Sequence, residues 1–466
     1  MVVGSGPNGL AAAVTLAQAG LKVTVFEGAA TPGGGTRTEE LTLPGLAHDI
    51  CSAVHPLGVA SPFLSRLPLA EHGLRWRWPE VDLAHPLDDG TAGVLLRDLD
   101  ATCAGLGRDG EAWRSLFGPL LPGFDDLLDD VLGPIVGVPR HPVRLARFGL
   151  RAGLPATLLL RRLRTPQAQA LFAGSAAHAY QPLSGPATAA VGVMLTLAGH
   201  AYGWPVAEGG SASITRALVS LLESLGGEVV CGHPVGSLRD IPAARLVLLD
   251  TVPGAAADIL DGRLPARTRR AYRRFRHGPA AFKLDVAVRD GVPWTAPAAR
   301  RAGTVHVGGT WQEVAEAEAA IARGRMPERP FVLVAQQSLA DPGRARDGVH
   351  PVWLYGHVPH AYDGDASDAV LDQVERFAPG FRERIVATAV RSPADYAAEN
   401  PNYVGGDIAG GVSDLRQLLA RPVLAPDPYA TGVPGVYLCS SSTPPGAGVH
   451  GMCGHRAAVA ALGSLA

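Results

Sequence analysis

Gly4-Ser5-Gly6-Pro7-Asn8-Gly9 stands between an apolar start, Met1-Val2-Val3, and an alanine-rich stretch from Leu10 to Ala19. Gly20 punctuates that stretch, and Leu21 to Phe26 follows as an apolar run ending at Glu27. The order reads strand, glycine turn, helix, strand, acid. The first glycine permits the tight turn, the second lets backbone approach a pyrophosphate, and the third lets the helix pack against the strands. The helix N-terminus then presents its partial positive charge to the phosphates. Glu27 is placed to accept hydrogen bonds from the ribose hydroxyls of an adenosine. A glycine turn of purely structural use leaves Glu27 unexplained. Only Met1 to Val3 precede Gly4, so either the first strand is short or the true start lies upstream.

A second glycine cluster, Pro32-Gly33-Gly34-Gly35-Thr36-Arg37-Thr38, comes directly after the acid. It suits a backbone running along a longer cofactor, with Arg37 in reach of a phosphate. That favours FAD, bound without a covalent link, over NAD. Near the other end, Gly435 to Cys439 reads as a buried strand. It runs into Ser440-Ser441-Ser442-Thr443-Pro444-Pro445-Gly446-Ala447-Gly448-Val449-His450-Gly451-Met452-Cys453-Gly454, and a helix is expected over 455–465. Small residues there let backbone amides lie against a flat ligand, and the helix start aims N–H groups at electron-rich atoms.

With these motifs the chain resembles the phytoene desaturase-like branch of the FAD-dependent amine oxidase superfamily, and bacterial phytoene dehydrogenase-like proteins within it. The resemblance spans the chain. It implies that Gly4, Gly6, Pro7, Asn8, Gly9, Glu27, Gly34, Gly35, Thr36, Arg37, Val235, Ser442, Thr443, Gly448, Val449 and His450 contact FAD. Val230 to Val235 resembles a strand whose backbone meets the adenine. Pro205 to Ile214 resembles the segment that returns to the cofactor domain. The family usually has a glycine-rich turn where Ser440 to Ser442 stand.

The expected fold class is α/β, or α+β overall: a Rossmann-type FAD-binding domain with an inserted substrate domain built on an antiparallel sheet plus helices. The cofactor domain is discontinuous, over 1–75, 205–258 and 400–466. The substrate domain takes 76–204 and 259–399. Phe282 to Val288 alternates apolar and polar residues like a half-buried strand, and Phe331 to Gln336 and Val352 to His357 read as further strands. Trp353 and Tyr355 are read as pointing to opposite faces, so that one of them walls a cavity.

With 466 residues, 47 % of them apolar and 18 % charged, the chain can build a large core over two domains. A formal net charge of -2 leaves nothing to attract nucleic acid over a whole face. Cys51, Cys103, Cys231, Cys439 and Cys453 are scattered, so neither a disulfide framework nor a metal site is expected, and a reducing cytoplasm fits. Neither a signal peptide nor a spanning helix is expected. Arg140 to Arg164 reads as a basic amphipathic helix, either a solvated surface face or a peripheral contact with an anionic membrane.

Flavin dehydrogenation asks little of the protein beyond aiming a substrate C–H at the flavin and controlling oxygen and water. Lys283 and His450 are the catalytic candidates. In the amine oxidases that the chain resembles, a lysine on this strand holds a water near flavin N5. In a chain whose only other lysine is Lys22, a compact ammonium within a strand stands out. Its structural alternative is pairing with Asp285. His450 either hydrogen-bonds flavin or substrate, or caps the last helix. His178, His200, His306, His357 and His360 are weaker candidates to line the cavity. Asn402 and Asp407 bind ribityl or substrate, or build a turn. The expected activity is dehydrogenation of a largely apolar small molecule by hydride transfer to flavin N5, with oxygen or a quinone as acceptor. A flavin amine oxidase, a redox-neutral isomerase and a flavin-binding scaffold are the alternatives.

Overall fold

The computed structural model describes residues 1–134 and 138–465. Two sheets carry the fold. The first is parallel and five-stranded, assembled from distant parts of the chain in the order Val436–Leu438, Val247–Leu249, Val2–Val3, Thr24–Phe26, Glu228–Val230. Val2 stands opposite both Val25 and Leu248, and Leu248 opposite Tyr437. The inner strands are mostly apolar and buried, as parallel sheets covered on both faces require, whereas the edge strand opens on the exposed Glu228. Each is only two or three residues long. Val230 to Val235 is therefore not one strand: the strand ends at Val230, and Val235 lies in the loop beyond it.

The first helix, Pro7–Gln18, has proline in its first turn, where the missing N–H removes no helical bond. It packs against the last helix, Met452–Gly463, through small residues. Ala11, Ala12, Gly454, Ala457 and Ala458 are all buried. The last helix begins at Met452, with Gly451 as its N-cap.

The second sheet has seven strands, in the order Ile385–Arg391, Ala280–Arg289, Val349–Val358, Val332–Ala335, Ala302–Val307, Val81–Pro86, Ala92–Leu95. It is antiparallel except where Ala302–Val307 runs parallel to Val81–Pro86. Side chains alternate across it with the period of two. On one side Phe282, Leu284, Val334 and Leu354 meet Val370, Val374 and Phe377 of the helix Ser367–Phe377. On the other side Leu333, Ala335, Trp353 and Tyr355 face the rest of the molecule. Trp353 and Tyr355 therefore share one face, with rings 4.7 Å apart, contrary to the sequence expectation. Residues two apart on a strand always point the same way.

The arginine-rich stretch is two helices rather than one, Pro142–Ala152 and Ala156–Leu160. Gly153, Leu154 and Pro155 separate them, and a proline disfavours helical geometry in the residue before it. Among the described residues, no helix is long and apolar enough to cross a membrane.

Candidate functional site: a cavity along the edge of the parallel sheet

A cavity of about 1390 Å³ runs along the C-terminal ends of the parallel strands. Every strand of that sheet delivers residues to it: Gly4, Glu27, Val235, Asp250 and Ser440 follow the five strands in turn. This edge is where open α/β sheets bind ligands, because loops diverge there and helix N-termini converge.

The glycine turn forms one wall. Gly4 has φ +96°, a left-handed conformation open to glycine. A Cβ on Gly6 would stand 2.8 Å from Asp250 Oδ2, and one on Gly9 would stand 2.1 Å from the Gly4 carbonyl oxygen. Gly4, Gly6, Pro7 and Asn8 line the cavity; Gly9 does not, and its role is the close helix–strand approach. Glu27 also lines it. Its Oε2 accepts from the Ser5 N–H at 2.8 Å and from the Ser5 hydroxyl, and its Oε1 accepts from the Ala29 N–H at 2.9 Å. The carboxylate is fixed where an adenosine ribose would meet it.

The second glycine cluster brings Gly34, Gly35 and Arg37 to the cavity. Arg37 Nε donates to the Gly34 carbonyl at 3.1 Å, and its guanidinium lies 4.0 Å from Glu399. Glu399 is itself held by Arg391 at 2.9 Å. Thr36 points the other way. Its hydroxyl, buried, donates to Gly33 and meets Thr215, so it shapes the loop and not the cavity.

The C-terminal turn supplies Gly448, Val449 and His450. Ser442 and Thr443 are turned inward instead. The Ser442 hydroxyl donates to the Gly410 carbonyl of a neighbouring loop and the Thr443 hydroxyl to the Ser440 carbonyl of the turn itself, because buried carbonyls need donors. His450 Nδ1 accepts from the Met452 N–H at 3.0 Å, which caps the last helix. Its Nε2 is buried without a hydrogen-bond partner among the described residues. Burial pulls its pKa down to about 4, so the ring is neutral. Arg421 lines the same region and spends its donors on the carbonyls of Gly410 and Ser441.

The far wall is apolar. The seven-stranded sheet contributes Thr304, Leu333, Ala335, Trp353 and Tyr355, and the helices 166–202 with their ends add His178, Tyr180, Met194 and Leu195. The Tyr180 and Tyr355 rings are parallel within 5°, with centroids 6.5 Å apart. Neither group of residues includes an acid.

This assembly fits a dinucleotide with a flat second half. The glycine positions are cradles that a Cβ would fill, and the three motif-bearing stretches meet on one cavity. Comparison with known proteins agrees. Residues 2–67 match the NAD(P)-binding Rossmann-like domain family. The chain is 25 % identical to mouse (Mus musculus) pyridine nucleotide-disulfide oxidoreductase domain-containing protein 2, covering 98 % of this chain and 92 % of that one. It is 26 % identical to hydroxyneurosporene desaturase of Cereibacter sphaeroides, covering 100 % and 98 %. A solved putrescine oxidase bound to putrescine superposes with a TM-score of 0.59 at 17 % identity, over 99 % of this chain and 98 % of that one. The chain has the fold of the FAD-dependent amine oxidase superfamily.

Within that superfamily fold, the sequence candidates for chemistry separate. Lys283 is fully buried and absent from the cavity wall. It pairs with Asp285, which also lies 3.4 Å from His48 and 3.9 Å from Arg391. A buried ammonium needs a counter-charge more than it needs a ligand, and Asp285 on the same face of the same strand supplies it. Of the five weaker histidines only His178 lines the cavity. It is backed by His306 at 2.9 Å. His200 bonds Leu96 and Trp113, His357 bonds Glu318, and His360 bonds Gly278. Asn402 lines the cavity but ties Val252 to Asp250 through its amide. Asp407 builds a turn, accepting N–H groups from Gly278, Ala409 and Gly411. The sequence reading missed Asp250. It also missed Tyr180, which holds φ +53° at the cavity wall. Asp250 was accessible to the rule that ligands gather at the C-terminal ends of parallel strands.

Proposed function

We propose that this protein is an FAD-dependent oxidoreductase that dehydrogenates a largely apolar small molecule. The observation that carries the reading is the single cavity shared by the glycine turn, the C-terminal turn and an apolar aromatic wall. Bound FAD supplies the two-electron acceptor that no side chain offers. Gly4 to Asn8 and Arg37 hold its phosphates, Glu27 its adenosine ribose, and Gly448 to His450 the turn beside the flavin. Trp353, Tyr355, Met194 and Leu195 orient the substrate and exclude water. Likeness to a desaturase over the whole chain supports the same reaction class.

An amine oxidase is the second reading, favoured by the putrescine oxidase fold. The seven-stranded sheet and the helices 166–202 bring no acid to the cavity, among the described residues, which speaks for a neutral substrate over an ammonium at that wall, although Asp129 and Asp130 line the cavity from the helix Phe124–Val131. The first experiment is a visible spectrum of the purified protein before and after denaturation. Two flavin bands, with the chromophore released to the supernatant, support non-covalent FAD. A colourless protein that no FAD reconstitutes overturns the reading. Anaerobic bleaching by polyenes against peroxide release from amines then separates the two substrates.

A peripheral membrane contact belongs to the same proposal. On the helix Pro142–Ala152, Leu145 and Phe148 line the cavity, while Val143 and Leu150 are 65 % and 73 % exposed beside Arg144 and Arg147. Exposed apolar and cationic groups on one helix suit an anionic lipid surface.

A further inference from the structure

Asp250 sets its carboxyl group against the glycines of the turn. It follows the strand Val247–Leu249, next to the central strand Val2–Val3, and is 7 % exposed. Its Oδ2 accepts the Gly9 N–H at 2.9 Å and stands 2.8 Å from where a Cβ on Gly6 would lie. Its backbone carbonyl is 3.0 Å from the Cβ position of Gly4. The side chain therefore touches all three glycines of the turn and lines the cavity beside them. Its Oδ1 has no hydrogen-bond partner among the described residues. A diphosphate seated on this turn brings negative charge against that carboxyl group in a water-poor site. An ionised neighbour would repel it, and a protonated one would not.

We propose that Asp250 couples occupation of the glycine turn by a dinucleotide diphosphate to the uptake of one proton. In the loaded protein Asp250 is a neutral carboxylic acid, able to donate a hydrogen bond, and no longer a carboxylate. The inference rests on the FAD reading only in taking the ligand to be a diphosphate.

The surroundings favour this. Burial pushes the Asp250 carboxyl up to about 7, against the opposing pull of the Gly9 N–H, and Glu27 adds to the rise. The other titratable groups that sense it are Cys439, at the end of the neighbouring strand, and Cys453 on the last helix. Burial holds both thiols above their usual range, so they stay neutral. From the loop 400–403, Asn402 meets only the backbone carbonyl of Asp250. The glycine turn adds Ser5 and Asn8, which carry no charge. Among these neighbours there is no cation to hold the carboxylate ionised once a diphosphate arrives.

The sign follows from linkage. Below the carboxyl's pKa in the free protein, Asp250 already carries its proton and binding is insensitive to pH. Above it, binding must take up a proton, and the dissociation constant rises by about tenfold per pH unit at most. The test measures free-FAD fluorescence on dilution of the holoprotein between pH 6 and 9. Calorimetric titration of ADP is run beside it in two buffers of different ionisation enthalpy. The expected result is a rising FAD dissociation constant above neutrality, and a buffer-dependent ADP heat that reports uptake of about one proton. Asp250→Asn removes both dependences and keeps tight binding at high pH. A flat pH profile with buffer-independent heats overturns the proposal, as does an Asp250→Asn protein that keeps the wild-type slope. The calorimetric measurement needs no variant, so a poorly folding Asp250→Asn does not remove the test. A protein that takes up a proton with ADP but retains no flavin upholds Asp250 and overturns the FAD reading instead.

Discussion

Gly454 lies against Asn8 so closely that a Cβ on Gly454 would stand 1.7 Å from the Asn8 carbonyl oxygen. The last helix is thereby seated on the first turn of the helix that opens the dinucleotide site. Gly454→Ala must push the two helices apart. Overpacking of this kind costs about 1–3 kcal/mol. The expected outcome is a melting temperature lowered by several degrees, with FAD retained less well, checked by thermal denaturation and by flavin absorbance per protein. An unchanged melting temperature would contradict the packing.

Gly6→Ala acts at the cofactor directly. Its new methyl would meet Asp250 Oδ2 at 2.8 Å and narrow the turn that faces the cavity. FAD affinity is expected to fall by about tenfold or more, roughly 1.4 kcal/mol. Fluorescence titration of the stripped protein checks this, and wild-type affinity in the variant would remove Gly6 from the phosphate cradle.

The pair of Lys283 and Asp285 is buried, and both residues touch further charges. Removing one partner strands the other, at a cost of about 3–5 kcal/mol. Asp285→Asn should therefore destabilise the protein more than the double change Lys283→Met, Asp285→Leu. Denaturant midpoints for the three proteins decide it. If instead Lys283→Met leaves stability intact and abolishes flavin reduction, the lysine reaches the site after all.

Acid sensitivity follows from neutral buried histidines. Burial lowers His55, His85 and His450 to about 4 and His178 to about 3. Their folded values lie below the unfolded value of 6.5, so the unfolded chain binds protons first as the pH falls. The stability they support is complete above about pH 6.5 and is lost progressively towards pH 4. Each contributes a slope of up to about 1.4 kcal/mol per pH unit. Urea midpoints at pH 7, 6 and 5 should fall steeply. Replacing His85 by Gln should flatten the fall.

The exposed side of the helix Pro142–Ala152 predicts salt-sensitive binding to vesicles containing phosphatidylserine. Val143→Glu with Leu150→Glu should abolish co-flotation without altering the flavin spectrum. Equal binding to neutral vesicles, or none at low salt, would remove the membrane contact.

Much of this protein is legible in its sequence, for a local reason. The glycine turn, Glu27 and the Gly34 to Arg37 loop act through backbone geometry and short-range spacing, which consecutive residues encode. The inner parallel strands are mostly apolar runs because they are buried on both faces, and the long strands around Phe282 and Trp353 alternate because each has two different faces. Tertiary structure alone decided which side chains reach the cavity. Thr36, Ser442 and Thr443 sit in the right motifs but satisfy neighbouring carbonyls, and Lys283 is claimed by Asp285. The place of Tyr180 on the cavity wall, and the contact of Asp250 with the glycine turn, became visible only when segments remote in the chain were brought together. Local conformation is written in neighbouring residues, whereas burial, pairing and protonation depend on what distant segments bring within a few ångströms.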